Sequence, residues 1–289
     1  MKRVVLFGGT GQLGQALQKD CAGHYAVIAP TSREVSFERA ESVERYIERL
    51  VPDIVVNAAA YTRVDEAEFN RERAFLVNSA TPRAIATASL AVGARFVHIS
   101  TDYVFDGTGA LPYAPLAPTN PLNVYGESKL SGELAVAEEN PKAVIVRTGW
   151  LHSGSGTNFV GTAVRLLSAG TSMRVVDDQV GTPTRAANLS QAVLAIVEAP
   201  SVSGILHVTD AGVASWYDVA CCVLETLRLA GRLPADTTVT PVSTRAFPRP
   251  ARRPPISILD THESRTRLTW IPPHWRDGVI ASTIELLNT

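Results

Sequence analysis

Residues 3–21 read RVVLFGGTGQLGQALQKDC, and the segment Phe7-Gly8-Gly9-Thr10-Gly11-Gln12-Leu13-Gly14 within it decides the fold. The apolar run Arg3–Phe7 reads as a buried strand, and Leu13, Ala16 and Leu17 fall at helical spacing after it. The glycines between fit GxGxxG through Gly9, Gly11 and Gly14, and GxxGxxG through Gly8, Gly11 and Gly14. Glycine is needed there because the turn wants φ values that other residues resist, and because a pyrophosphate must approach bare backbone. The helix N-terminus that follows offers free N–H groups and a positive dipole end. A glycine-rich turn can be only a turn, but between a first strand and a first helix it reads as a dinucleotide site. No GK[ST] follows, which excludes a P-loop.

Downstream, short apolar runs alternate with helical patterns. Tyr25–Ala29, Asp53–Asn57, Arg95–Ser100 and Lys142–Arg147 read as further strands. Glu41–Leu50, Arg71–Val92 (with a break near Pro82) and Tyr125–Glu138 read as helices. Such alternation implies βαβ units and a parallel sheet. After Trp150 the texture changes. Gly and Ser cluster at Ser153–Gly156, helices are expected at Phe159–Leu167, Leu189–Glu198, Ser215–Leu229 and Asp277–Leu287, and residues 241–256 suit an ordered loop. Met173–Val176 is a short strand-like run, and Ile205–Val208 could return to the main sheet. The expected fold is α/β, a Rossmann-like doubly wound parallel sheet with a smaller, loop-rich C-terminal substrate lobe. Residues 1–150 plus about 186–209 would form the dinucleotide-binding domain, and about 151–185 plus 210–289 the substrate-binding lobe.

Composition narrows the function classes. The 289 residues carry a net charge of −1, with 45% hydrophobic and 19% charged residues, so nothing attracts nucleic acid or an anionic membrane. Cys21, Cys221 and Cys222 are no disulfide framework; they read as buried small hydrophobes in a reducing compartment. The N-terminal apolar run is too short for a signal peptide, and no stretch reaches the ~18–20 residues of a membrane span. A cytoplasmic protein is expected.

The chemistry centres on Tyr125-Gly126-Glu127-Ser128-Lys129. Positions i and i+4 share a helical face. A phenol with a pKa near ~10 is a poor acid or base at neutral pH, and a nearby ammonium favours the phenolate and lowers that value. Lysine can also hold a nicotinamide ribose. A bare YxxxK is common by chance and reads equally as a surface pair; downstream of a dinucleotide turn it reads as catalytic. The fourth strand runs into Ser100-Thr101-Asp102-Tyr103, at the carboxyl end where open α/β sheets place ligands. Thr101 is the expected partner of a substrate carbonyl, with Ser100 structural and Asp102 a ligand or a loop cap.

The second strand ends in Ala29-Pro30-Thr31-Ser32-Arg33, without the aspartate that grips a ribose 2′-hydroxyl. Arg33 could meet a 2′-phosphate, favouring NADPH with NADH possible, or be a solvated loop residue. Ala58, Ala59 and Ala60 let a cofactor lie against the sheet edge, or simply pack tightly. His98 reads as packed or hydrogen-bonded, while His152, His207, His262 and His274 lack metal-ligand spacing. Asp177-Asp178 reads as part of a turn.

The strings GGTGQLG, VVNAAAYTRVDEAE, VNSATP, HISTDYVFDG, PLNVYGESKLSGE, VRTGW, DDQVGTPT and FPRPARRP run over nearly the whole chain. Together they resemble the extended short-chain dehydrogenase/reductase family and, within it, the dTDP-4-dehydrorhamnose reductases. That resemblance implies NADPH-dependent reduction of the C4 keto group of dTDP-4-dehydro-L-rhamnose to dTDP-L-rhamnose, with Tyr125 protonating the alkoxide, Thr101 tuning that transfer and Lys129 positioning cofactor and tyrosine. It implies that Gly11, Gln12 and Leu13 hold the pyrophosphate, and that Ala60, Tyr61 and Thr62 border the cofactor. Thr101, Asp102, Tyr103, Tyr125 and Trp150 would face the dTDP-sugar. Arg253 would meet its diphosphate, or be a solvated charge. Some relatives bind a metal through glutamates, one just after the glycine turn; Gln15-Ala16-Leu17 stands there, so no metal is expected. The alternatives are a 4-ketoreductase for another dTDP-deoxysugar and a non-catalytic nucleotide-binding regulatory subunit. A monomer or homodimer is expected.

Overall fold

In the computed structural model, which describes residues 1–288, the apolar runs become the strands of one parallel sheet. They are β1 (Lys2–Phe7), β2 (Tyr25–Ile28), β3 (Ile54–Asn57), β4 (Arg95–Thr101), β5 (Val144–Thr148) and β6 (Gly204–His207). Their spatial order is β2-β1-β3-β4-β5-β6, all parallel. The direction of winding reverses between β1 and β3, where Phe7 pairs with Asn57. Ligands of such sheets bind in the crevice beyond the carboxyl ends at that switch.

Side chains alternate between faces with the period of a strand. Val4, Leu6, Val56 and Val97 face one layer with Leu13 and Leu17 of α1 (Gln12–Cys21) and Leu189, Val193 and Ile196 of Ala186–Glu198. Val5, Phe7, Val55 and Phe96 face the other with Val43 and Ile47 of α2 (Ala40–Leu50), and with Ile85 and Val136. The sheet is therefore covered on both sides, as the sequence predicts. Gly204–His207 does rejoin it, pairing with β5.

The helix expected over 71–92 does not break at Pro82. Arg71–Phe75 runs through a π-turn at Leu76–Ala80 into Thr81–Ala91, which we call α3 (71–91). Proline lacks the N–H that the Asn78 carbonyl would accept, and widening the previous turn absorbs the defect. The same carbonyl packs against Gly132 of α4 (Val124–Glu139), where a Cβ would overlap it. One glycine thus lets α3 and α4 touch backbone to backbone.

Beyond β5, Phe159–Ser168 (α5), Ala186–Glu198 (α6), Trp216–Leu229 (α7) and Trp275–Leu287 (α8) carry the remaining chain. A third core of Val160, Val164, Leu167, Val219, Val223, Leu227 and Val279 joins α5, α7 and α8. The stretch expected to be a loop from 241 begins as a strand, Val239–Val242, paired in parallel with Met173–Val176. Asp178 closes the adjoining turn by accepting from the Thr244 N–H and hydroxyl. Cys21 and Cys222 are buried as expected, but Cys221 is half-buried. Among the described residues no helix is long and apolar enough to cross a membrane.

Candidate active site

The glycine turn closes through a Gly11 N–H bond to the Gly8 carbonyl. Its glycines have separate reasons. Gly8 sits at φ +84°, and a Cβ there would lie 2.7 Å from the Ala58 carbonyl carbon. A Cβ at Gly14 would overlap the Gly8 carbonyl oxygen. Gly11 meets only that oxygen, at 3.3 Å, and is the residue at the N-cap of α1, with no side chain capping the helix. The first N–H groups of α1 are therefore left for an anion.

A cleft of about 890 Å³ runs from this turn along the carboxyl edge of the sheet. Gly8, Gly11, Gln12 and Leu13 line it, with Pro30, Thr31 and Ser32 at one end. Arg33 does not line it; it is exposed and has no polar partner among the described residues. Glu34, which the sequence reading passed over, accepts from the Thr31 N–H (2.7 Å) and hydroxyl (2.9 Å). Ala58, Ala59, Ala60 and Thr62 form the next wall. Tyr61 is turned out of it: its N–H and C=O are both held by the Asn78 amide, and its ring packs beside Val124.

Thr101, Asp102, Tyr103, Tyr125 and Lys129 meet in the middle of the cleft. Asn123 caps α4, its side chain accepting from the Gly126 N–H at 2.8 Å. Gly126 is glycine because a Cβ there would overlap the Tyr103 carbonyl oxygen. This close approach sets Tyr125 beside the end of β4, with its ring edge-on to Tyr103 at 5.7 Å. Lys129 is buried and donates from Nζ to the Ile99 carbonyl at 2.6 Å. Thr101 accepts from the Tyr103 N–H and donates to Asp102 Oδ1 at 3.1 Å.

The electrostatics differ from the expectation for Tyr125. Burial pushes its phenol up to about 12, while the Thr101 hydroxyl pulls it down and Asp102 pushes it further up. Lys129, itself lowered to about 8 by burial, directs its ammonium at a backbone carbonyl. Desolvation of the phenolate thus outweighs the helical neighbour. Tyr125 is a protonated acid at neutral pH.

Burial also pushes Asp102 up to about 6, against the pull of the Ser257 and Thr101 hydroxyls. Gly149 makes room for that carboxyl, since a Cβ there would lie 2.8 Å from its carbon. A folded-state value above the unfolded one favours the fold at low pH, and the advantage is lost as pH rises through about 6. Asp102→Asn is therefore expected to gain on the order of 2 kcal/mol over wild type near pH 8, and almost nothing near pH 4. Urea unfolding at both pH values measures this; a gain independent of pH contradicts it.

The far end of the cleft is aromatic. Trp150, at a strained φ of +50°, stacks on Trp216 with centroids 3.6 Å apart and planes 2° from parallel. Gly181 accommodates the Trp150 ring, 2.6 Å from where a Cβ would stand. Trp216 escaped the sequence reading, as did Asn158, which donates to Gln12 Oε1 at 2.9 Å and ties the glycine turn to the segment after β5. Arg253 does not line the cleft itself: it is bidentate on Asp65 at 2.9 and 3.0 Å and also hydrogen-bonds Tyr103, which does. His98 is buried against the Asn57 amide at 3.1 Å, as expected.

The family model described as "RmlD substrate binding domain" matches residues 1–287. The chain is 40% identical to the dTDP-4-dehydrorhamnose reductase of Salmonella typhimurium, over 99% of this chain and 98% of that one. It is also 40% identical to that of Mycobacterium tuberculosis, covering 100% and 94%. A crystal structure of the Bacillus anthracis dTDP-4-dehydrorhamnose reductase in complex with NADP superposes with a TM-score of 0.91 at 35% identity, covering 98% of this chain and 99% of that one. The Clostridium acetobutylicum structure of that name gives 0.91 at 37%, covering 99% and 100%.

Proposed function

The chain belongs to the RmlD substrate-binding-domain family, and on that premise we propose that it reduces the C4 keto group of dTDP-4-dehydro-L-rhamnose with NADPH, giving dTDP-L-rhamnose. The observation that carries this is the single cleft joining the glycine turn, Tyr125 with Thr101, and the Trp150–Trp216 wall.

The residues present fit the cofactor. Bare backbone at Gly8 and Gly11 and the uncapped start of α1 suit a pyrophosphate. Thr31 and Ser32 offer hydroxyls at the end of β2, with Arg33 beside them and Glu34 already engaged by Thr31. When bound, the reduced nicotinamide supplies the hydride that C4 accepts. Tyr125, kept protonated by burial, gives its proton to the sugar O4, so that ketone becomes alcohol without a free alkoxide. Thr101 orders that transfer from the end of β4. Lys129, as an ammonium ion, stabilises the phenolate left behind.

In this reading, residues 1–150 with about 186–209 hold the cofactor, and about 151–185 with 210–289 close over the sugar nucleotide. The return of β6 to the sheet and the Trp150–Trp216 contact between the two stretches support that division. The test is NADPH oxidation dependent on dTDP-4-dehydro-L-rhamnose, followed by NMR of the product. The L-rhamno configuration at C4 is expected. No turnover of this substrate, or the C4 epimer, overturns the assignment.

A further inference from the structure

Behind Tyr125 and Lys129 lies a buried ion pair that the mechanism above does not use. Tyr125, Lys129 and Glu133 are each four residues apart on α4 and share one face. Lys129 binds the Ile99 carbonyl, and Glu133 accepts from the hydroxyl of the next residue, Ser100. The two side chains thus grip consecutive residues of β4, immediately before Thr101. Arg147 of β5, the register partner of Ser100, meets Glu133 from the opposite side. Its Nε lies 2.9 and 3.1 Å from the two carboxylate oxygens, and Nη2 lies 2.6 Å from Oε2. The Arg147 and Glu133 side chains are only 3% and 2% exposed.

We propose that Glu133 is a positioning residue of this active site: its carboxylate, clasped by Arg147, holds Lys129 as an ammonium ion and fixes the end of β4 that carries Thr101. The inference rests on the catalytic reading of Tyr125 and Lys129.

Charge, not stability, is the reason to bury such a pair, since apolar residues of similar volume usually fold as well or better. The other carboxylates of α4 are paired elsewhere, Glu127 with Arg71 and Glu138 and Glu139 with Arg83. Tyr125 is a neutral phenol. From β4, His98 is held neutral by burial and by Lys129 itself. Asp102, in the turn after β4, titrates near 6 and is engaged by Thr101. From β6, His207 is held neutral at about 3, chiefly by burial and next by the Arg147 charge. Glu133 alone pushes Lys129 upward, against the burial that lowers it to about 8.

The chain has four lysines, Lys2, Lys19, Lys129 and Lys142, so 13C-labelled lysine gives a countable NMR spectrum in which Lys129→Met assigns the buried one. In the cofactor-free protein the Lys129 Cε signal should titrate near 8. Glu133→Gln should lower that midpoint by on the order of one pH unit, and Glu133→Asp, which keeps the charge, by less than about half of that. The alkaline limb of kcat/KM should move in step, with KM for NADPH nearly unchanged. An unchanged midpoint in Glu133→Gln, or equal shifts in the Gln and Asp variants, overturns the proposal. If the orphaned Arg147 prevents folding of Glu133→Gln, the double variant Glu133→Gln/Arg147→Met removes both charges; it should still shift downward, and no shift overturns the proposal. Because the titration needs no substrate, it stands apart from any failure of the wild type to reduce dTDP-4-dehydro-L-rhamnose, which would sink the functional reading instead.

Discussion

Tyr125→Phe should lower kcat about 1,000-fold, within the 10²–10⁴ that positioned proton transfer contributes, and leave the fold and NADPH binding intact. The change deletes one oxygen. The ring keeps its edge-on contact with Tyr103 and its packing beside Val124, so α4 has no reason to move. What disappears is the phenol proton held beside Thr101 at the end of β4. At about 1.4 kcal/mol per decade, the loss corresponds to roughly 4 kcal/mol of transition-state stabilisation. Single-turnover oxidation of NADPH, beside circular dichroism, measures it. A variant within about tenfold of wild type would move the proton donor elsewhere. Asp102 would then be the first candidate, since burial lets its carboxyl stay partly protonated near pH 6.

That experiment also separates what spacing alone says from what burial adds. YxxxK places Tyr125 and Lys129 on one face, and this much is visible in the sequence. The sign of the effect on the phenol is not, because it depends on how much water the folded site excludes. In the protein the lysine binds a β4 carbonyl and desolvation dominates, so the Tyr125 phenol is raised and stays protonated. Both outcomes are compatible with the same five letters.

The legible parts of the fold are those set by short-range order. The glycine turn, the apolar runs of β1, β3, β4 and β5, and the helical face of α1 each declare themselves within a few residues. Even Gly204–His207, far from the rest, returns to the sheet as its apolar run suggests. The rule that proline ends helices does not hold at Pro82, where a π-turn leads into Thr81–Ala91 and the Asn78 carbonyl packs against Gly132. The illegible parts are contacts between distant segments. Nothing near Trp150 announces that Trp216 will lie flat on it, nor that Arg253 will be taken by Asp65. Tyr61 follows three cleft-lining alanines, yet Asn78 turns it away. The Glu133–Arg147 pair is set by strand register, which charge patterning along α4 does not reveal.

The glycine turn offers the second large effect, because Gly14 and Gly11 should fail in different ways. Gly14→Ala places a methyl group into the Gly8 carbonyl oxygen and 2.7 Å from the Gly9 Cα. Both obstacles are backbone, so no rotamer relieves them. Either α1 slides away from the core formed by Leu13, Leu17 and the sheet, or the turn opens. The expected cost is about 3 kcal/mol of stability, with NADPH affinity falling by at least about 100-fold as the turn loses its shape. Gly11→Ala meets only one oxygen, at 3.3 Å, from a φ of −75° that alanine accepts. It should melt close to wild type yet bind NADPH at least about tenfold more weakly, because its methyl group stands where the pyrophosphate must come near. Gly23→Ala is the control: its φ of +81° is strained for alanine, but nothing lies within 4 Å. It should cost about 1 kcal/mol and leave NADPH affinity unchanged. Thermal melts and fluorescence titration with NADPH resolve the three. If Gly14→Ala melts and binds like the Gly23 variant, close helix–turn packing is not what shapes the cofactor site. If Gly11→Ala binds NADPH like wild type, the pyrophosphate does not pass over this turn.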